Sequence, residues 1–370
     1  MRIGIDASRA ATVKRSGTEN YSYYLITALL DIDSRNEYAL YFNHPPRDGA
    51  LRAPNARWIV MPFPRLWTHV RLSLEMLRAT PDILFVPAHV LPIIHPRHSV
   101  VTVHDLGYLY YPEAHPRLSR LYLDWSTRYN VWSATHVIAD SECTAMDLSR
   151  HYRVSRQKIT VVYPGLNPNM RPIEDRESHR VVRAKYAIPG DYIFSLGTLQ
   201  PRKNWLRLIE AFAPLAIERE NLFLVIGGKQ GWLHKPIIEH VQALGLEQHV
   251  ILPGYVAEED LPALLSGAIA FAFPSLYEGF GFPILEAMAC GTPVVCSNTS
   301  SLPEVAGEAA LTFDPLDVGA ITAALNHILD DATLRFELVA RGFERVRLFT
   351  WEKAARRVLE ILSTIGGRQA

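Results

Sequence analysis

The sequence carries no excess of charge of either sign. Lys plus Arg and Asp plus Glu each total 38, so the formal charge at neutral pH is zero. General nucleic-acid binders carry a basic surplus, so that class is set aside unless a local basic groove survives the cancellation. Cysteine is also scarce. Cys143, Cys290 and Cys296 are odd in number and have neither disulfide nor metal-ligand spacing. They read as small buried hydrophobes of a protein in a reducing compartment, which here means the cytoplasm. No uninterrupted run of about eighteen apolar residues, the length of a spanning helix, is present. The longest candidate, Leu261 to Phe273, is broken by Pro262, Ser266 and Gly267 and reads as helix, turn and strand. Met1-Arg2-Ile3-Gly4-Ile5-Asp6 reads as a strand and not a secretory leader, because no apolar stretch follows the charge.

What is present points to an α/β protein. At 370 residues the chain exceeds one ordinary core, so two domains are expected. Its 48% hydrophobic and 21% charged residues are ordinary for a globular protein. Short β-branched runs, from Arg2–Asp6 to Ala310–Phe313, alternate with helical patterns such as Asn20–Leu30, Arg117–Ala134, Trp205–Glu218 and Pro283–Ala289. That alternation predicts parallel sheets with helices on both faces. Pro164-Gly165-Leu166-Asn167-Pro168 is turn chemistry, and the polar stretch after it has no strand pattern, so a linker is expected between Pro164 and about Tyr186. The expected domains are residues 1–170 and 185–350, with the last helical stretch, about 351–370, crossing back to the first. Two such sheets face to face would place the ligand in the cleft between them.

The most informative stretch runs from Glu278 through Gly279-Phe280-Gly281-Phe282-Pro283 to Glu286. Two carboxylates flank a Gly/Phe/Pro loop that opens an apolar helix. Such a loop presents backbone N–H groups at a helix N-terminus, a ready site for anions or polar ligands. The pattern suits a ligand with a charged linker and hydroxyls, such as a nucleotide sugar. Arg202 and Lys203 follow a predicted strand through a Gly-Thr-Leu-Gln-Pro turn, where two cations can neutralise a diphosphate leaving group. The bland alternative, a solvated basic helix start, sets cations against the helix dipole.

Other candidates are weaker. Gly17, between the first strand and helix, would let the backbone approach a phosphate, or simply make a turn. His104 and Asp105 end a strand run and so face a cleft, although a core histidine bonded to Asp105 is the alternative. Tyr255 and Val256 would line a base pocket. Ser141 reads as a helix N-cap. Asp31-Ile32-Asp33 has the spelling of a metal-binding DxD, but it follows a helix with no strand leading in, and it reads as a solvated loop. No metal or cofactor is required once Arg202 and Lys203 hold the diphosphate. The segment Phe63 to Arg78 is amphipathic, with Trp67 and several arginines. One reading is peripheral contact with a membrane; the other is an ordinary helix packed on the sheet, which its short cationic face favours.

Taken in order, these motifs resemble the retaining glycosyltransferases of family 4. That family has the GT-B fold, two Rossmann-like doubly wound domains facing across a cleft. Glu278 and Glu286 match its two-glutamate motif, Gly197 to Asn204 its basic loop, Val103-His104-Asp105 its acceptor-domain histidine, and Ser16-Gly17-Thr18 its N-terminal glycine loop. Ser301-Leu302-Pro303-Glu304 and Phe349-Thr350-Trp351 also fit. The N-terminal loop departs from the commoner double-glycine form, with Ser16 before a single Gly17.

The resemblance implies roles. Glu286 would accept hydrogen bonds from the nucleotide ribose, and Glu278 would contact hydroxyls of the transferred sugar. Phe280, Gly281 and Phe282 would supply backbone N–H groups. His104 would face the donor sugar, and Asp105 the acceptor. The expected reaction is metal-independent hexosyl transfer with retention, from a nucleotide sugar to a saccharide or lipid-linked acceptor. The overall pattern, including Ile83 to Pro92, looks most like mannosyltransferases that build bacterial surface polysaccharides. GDP-mannose is therefore the first expectation, with UDP-glucose behind it. A sugar-nucleotide epimerase and a non-catalytic nucleotide-sugar-binding protein share the architecture and remain alternatives.

Overall fold

The computed structural model describes residues 1–12, 17–46, 51–88, 90–114, 116–229 and 235–367. Ser16 and His89, which fall within two of the motifs above, lie outside these described residues. The chain divides into two compact units, Met1–Gly165 with Phe349–Ala370, and Leu166–Leu348.

The first unit holds seven parallel strands: β1 (Arg2–Asp6), β2 (Glu37–Phe42), β3 (Ala56–Val60), β4 (Ile83–Val86), β5 (Ser99–Val103), β6 (His136–Ala139) and β7 (Ile159–Val161). Their spatial order is β3-β2-β1-β4-β5-β6-β7, so the winding reverses between β1 and β4. Its helices are α1 (Gly17–Ile32), α2 (Ser73–Arg78), α3 (Gly107–Tyr110), α4 (Arg117–Ser133) and α5 (Glu142–Tyr152). Strand side chains alternate between two apolar layers. Ile3, Ile5, Val100 and Ile138 join the layer of α1, while Val101, Val103, Val137 and Ala139 join that of α5. This two-sided burial is why the central strands read as continuous β-branched runs. Ser141 caps α5, its side chain accepting a 3.0 Å hydrogen bond from the Thr144 N–H.

The second unit opens with α6 (Arg176–Lys185). It continues through β8 (Asp191–Leu196), α7 (Trp205–Glu218), β9 (Leu222–Gly227), α8 (Lys235–Ala243), β10 (Val250–Gly254), α9 (Leu261–Ser266) and β11 (Ala270–Phe273). Then follow α10 (Phe282–Ala289), β12 (Val294–Ser297), α11 (Leu302–Ala306), β13 (Ala310–Phe313), α12 (Val318–Asp330) and α13 (Ala332–Val346). The strand order, β10-β9-β8-β11-β12-β13, reverses between β8 and β11. The closing helix α14 (Trp351–Gly366) is capped by Thr350 and belongs to the first unit, where Trp351 stacks on Tyr24 at 5.6 Å.

Three local expectations need correction. The polar stretch expected as a linker contains α6, whose N-cap Asp175 accepts from the Glu177 and Ser178 N–H groups. Only Val182 of that helix is buried, and the rest of its sequence is mostly charged and polar, which is why the stretch reads as a linker. The segment Phe63 to Arg78 is not one helix but a π-helical turn, Thr68–Leu72, running into the short α2. Trp67 is buried and donates a 2.8 Å hydrogen bond to the Met61 carbonyl, so it anchors the core and offers no surface. Asp33 is not solvated either. It is buried, and its carboxylate accepts from Asn36 (2.7 Å) and Tyr38 (2.6 Å), closing the turn before β2.

Candidate active site

In the second unit, the loops leaving β8 and β11 are neighbours because the strand order reverses there. Open α/β sheets bind ligands at such a point. The first loop ends in a tight turn over Pro201–Lys203 and then Asn204, whose left-handed backbone (φ 62°) is fixed by a 2.7 Å hydrogen bond from its side chain to the Pro315 carbonyl. The turn aims Arg202 and Lys203 at Glu278 of the second loop. Lys203 Nζ lies 2.5 Å from Glu278 Oε1, and an Arg202 guanidinium nitrogen 2.9 Å from Oε2. Ser275 donates to the same Oε1, and Arg202 also donates to the Tyr277 carbonyl. The Lys203 ammonium lies 4.8 Å from the Phe273 ring centroid.

Burial alone would raise the Glu278 carboxyl. The charges of Lys203 and Arg202 and the hydrogen bonds outweigh it and hold the group at about 2, a permanent anion at neutral pH.

The turn into α10 depends on Gly281, whose φ is 120°. A Cβ there would come within 2.8 Å of Leu302 Cδ2. Ser301 ties the loop down by donating to the Glu278 (2.9 Å) and Phe280 (2.6 Å) carbonyls, and Ser300 accepts from the Glu278 N–H at 3.0 Å. Phe280 is buried and meets Phe282 edge to face at 5.1 Å. Glu286 follows within α10, partly buried. Burial, with the charge of Glu258 added, pushes its carboxyl up to about 7. After β10, Tyr255 is exposed beneath the Lys229 ammonium (5.4 Å to the ring centroid), while Val256 is buried.

In the first unit, His104 leaves the carboxyl end of β5, and Asp140 leaves that of the neighbouring β6. Their side chains meet, Nδ1 to Oδ2, at 2.6 Å. The partner of the histidine is therefore Asp140 and not Asp105. The Asp105 carboxylate instead accepts from the Gly107 N–H at 2.9 Å, opening α3. Burial disfavours a charged His104, but the charge and hydrogen bond of Asp140, with Asp105 behind, hold the imidazole above its ordinary range. Tyr21 stands edge-on to the ring at 4.7 Å, and the Pro87 backbone adds a hydrogen-bond contribution that also favours the charged imidazole. His104 and Asp105 line a pocket of about 320 Å³ with Arg9, Thr18, Thr102 and Asn130. Gly17 is the first residue of α1, and a Cβ there would meet nothing within 4 Å, so sterics do not demand glycine.

The sites expected from sequence thus fall into two groups, one per unit. Arg202, Lys203, Tyr255, Val256, Glu278, Phe280, Gly281, Phe282 and Glu286 lie in the second, and Gly17, His104 and Asp105 in the first. Four residues went unread. Ser275 and Glu258 act through contacts that sequence does not reveal. Asp140 ends a strand as His104 does, and the same positional rule would have found it. Asp6 ends β1; Ser8 donates to it at 2.6 Å, but burial dominates and raises its carboxyl to about 6. Among the described residues, no group of three or more His, Cys, Asp or Glu side chains could hold a metal ion.

Comparison with known proteins places this geometry. Residues 15–170 match the glycosyltransferase family 4 model, and residues 180–345 match that of the glycosyl transferases group 1. The O-antigen chain mannosyltransferase B of Escherichia coli is 34% identical over 70% of this chain and 69% of its own length. The serotype-specific mannosyltransferase WbdA of Escherichia coli is 29% identical over 72% of this chain, which spans only 33% of that protein. Sucrose-phosphate synthase from Thermosynechococcus elongatus superposes over 100% of both chains with a TM-score of 0.76 at 21% identity. Anabaena Alr3699/HepE, solved in complex with UDP-glucose, covers 98% of this chain and 99% of its own with a TM-score of 0.74 at 19% identity. With two parallel α/β domains and both family matches, the chain belongs to the family 4, group 1 glycosyltransferases of GT-B fold.

Proposed function

We propose that the protein is a retaining, metal-independent hexosyltransferase that moves mannose from GDP-mannose to a hydroxyl of a saccharide or lipid-linked acceptor. The observation that carries this reading is the convergence of Arg202 and Lys203 on Glu278 at the β8/β11 switch point, in a chain whose curated relatives include mannosyltransferases. In this reading the two cations share their donors between Glu278 and the donor diphosphate. They stabilise the negative charge that grows on the leaving phosphate as the sugar–oxygen bond breaks. Glu286 accepts from the ribose diol, with Tyr255 and Val256 beside the base. Glu278, fixed as an anion, accepts from sugar hydroxyls. His104 donates to a sugar hydroxyl through Nε2, and Asp105 orients the acceptor. The departing phosphate oxygen takes the acceptor proton on the face from which it leaves, so the new bond forms with the configuration retained.

The acceptor domain offers apolar surface for a lipid-linked acceptor. Leu74 and Leu77 of α2 are 53% and 63% exposed, with Leu118, Tyr122 and Trp125 of α4 also open. The His69 ring bridges the two segments, 3.2 Å from the Tyr122 hydroxyl and with its centroid 6.0 Å from that of Trp125. We read this as a peripheral contact at the inner face of the membrane, in place of the buried Trp67. No described helix is long and apolar enough to cross a bilayer. Among the described residues the three cysteines form no disulfide and two of them are buried, which suits a reducing compartment.

The test is incubation of the purified protein with GDP-mannose or UDP-glucose and an oligosaccharide acceptor. A mannosylated acceptor with the donor's anomeric configuration, read by NMR, is expected. Turnover of UDP-glucose alone would overturn the donor assignment. An epimerised donor, or binding without turnover, would overturn the transferase reading.

A further inference from the structure

At the opposite end of the first unit's sheet from His104 lies a groove of about 610 Å³. It is bounded by the start of β6, the segment leading into the edge strand β7, and the C-terminal half of α14. Three basic side chains reach it from these three elements: His136, Lys158 and Arg357. Hydroxyls of Ser155 and Thr160 line it too. Among the described residues its one acidic lining group is Glu360, and that carboxylate is already held by Arg357 at 2.5 Å. Lys158 gives one of its three ammonium protons to the Trp132 carbonyl at 3.2 Å, which leaves donors for a ligand. His136 is bonded at 2.8 Å to the Thr160 hydroxyl. Burial, then the charges of Lys158 and Arg357, hold its imidazole below the ordinary range. A histidine held below its ordinary range by burial and then by two nearby cations sits in positive potential, which an anion would relieve.

We infer that the groove formed by His136, Lys158 and Arg357 is a binding site for a phosphate group, separate from the nucleotide-sugar site. The fit is chemical. A phosphate offers several acceptor oxygens for the ammonium, the guanidinium and the Ser155 hydroxyl, and these charge-assisted bonds are the strong ones. With the phosphate bound, His136 would charge and become a further donor. The phosphate could belong to a soluble phosphomonoester or to a lipid headgroup.

The experiment uses the full chain with carbon-13-labelled histidine, the His136 signal being assigned from a His136→Asn sample. Inorganic phosphate, then glycerol phosphate, then phosphatidylglycerol vesicles are titrated against chloride controls. The expected result is a saturable shift of the His136 signal and a rise of its titration midpoint in phosphate. Arg357→Gln, at an exposed position that threatens no core, should weaken that binding by about tenfold, the scale of one charge-assisted hydrogen bond to an anion. Lys158→Ala should do the same. A response to the vesicles assigns the headgroup, and a response to the soluble phosphates alone assigns a soluble ligand. If no anion moves the His136 signal saturably, or if both variants respond as the parent does, the site does not exist.

Discussion

Lys203 and Glu278, 75 positions apart in sequence, share a buried hydrogen bond of 2.5 Å, and Arg202 closes the other carboxylate oxygen at 2.9 Å. The contact ties the β8 loop to the β11 loop, so the same side chains serve the fold and the proposed chemistry. Lys203→Ala leaves Glu278 buried with one cation fewer. Truncating one partner of a buried pair costs about 3–5 kcal/mol, because the other charge stays desolvated. Urea unfolding should show a loss on that scale. Lys203→Met combined with Glu278→Leu removes both of these charges but leaves Arg202 without its carboxylate partner, so it should recover only part of the loss. Mannosyl transfer should stay lost by orders of magnitude in both. Full recovery of transfer in the double variant would show that the pair is structural only.

Glu286 carries the clearest pH dependence. Its carboxyl sits at about 7 in the folded protein, above its ordinary value of 4.5. Between those values the folded state binds the extra proton, so this group's contribution to stability falls as pH rises from about 4.5 to about 7. Glu286→Gln should therefore be neutral near pH 4.5 and stabilising above pH 7, by about 2 kcal/mol once partial exposure is allowed for. Ribose recognition runs the other way, because two diol hydroxyls donate best to the deprotonated form. Calorimetry should show donor affinity declining as pH falls below about 7 in the parent protein. In Glu286→Gln the affinity should be weak and flat with pH. A flat profile in the parent would remove Glu286 from the ribose site.

How far the sequence could be read follows from the physics of each signal. The strands were legible because parallel sheets are buried on both faces, so runs such as Leu222–Gly227 stand out whatever packs on them. Trp205–Glu218 was legible because its apolar stripe is wide, with seven residues buried. Helix α6 was not, since its sequence is dominated by charged and polar residues and buries a single valine. The motif residues around Glu278 and Lys203 were legible as chemistry, but their mutual ion pairing was not, because it depends on two loops brought together by strand order. Asp140 shows the same limit. The strand rule marks it as a candidate, and only the fold makes it the partner of His104.

The His104–Asp140 pair should be separable from simple packing. The imidazole is held above its ordinary range chiefly by Asp140, against the opposing effect of burial. The stability it contributes is fully present below about pH 6.5 and is lost as pH rises through its folded value. Asp140→Asn should lower the histidine's titration midpoint, read by NMR. Losing the bond that orients His104 should also reduce kcat, by up to about a hundredfold, the scale of a misplaced positioning group. An unchanged midpoint would mean that Asp140 does not control the histidine's charge.

Gly281 should tolerate no side chain, for two reasons that can be told apart. Its φ of 120° is strained for any L-residue, and a Cβ would lie 2.8 Å from Leu302 Cδ2. Backbone strain of this kind costs about 1–3 kcal/mol, and overpacking adds about as much again. Gly281→Ala should therefore lose about 2–5 kcal/mol by urea unfolding. It should also lose donor binding, because the turn that separates Glu278 from α10 would open. Leu302→Val on top of Gly281→Ala removes the clash but leaves the dihedral, so it should restore part of the stability and little of the binding. If the double variant recovered donor affinity fully, the loop's geometry would be set by the contact with Leu302 and not by the backbone of Gly281.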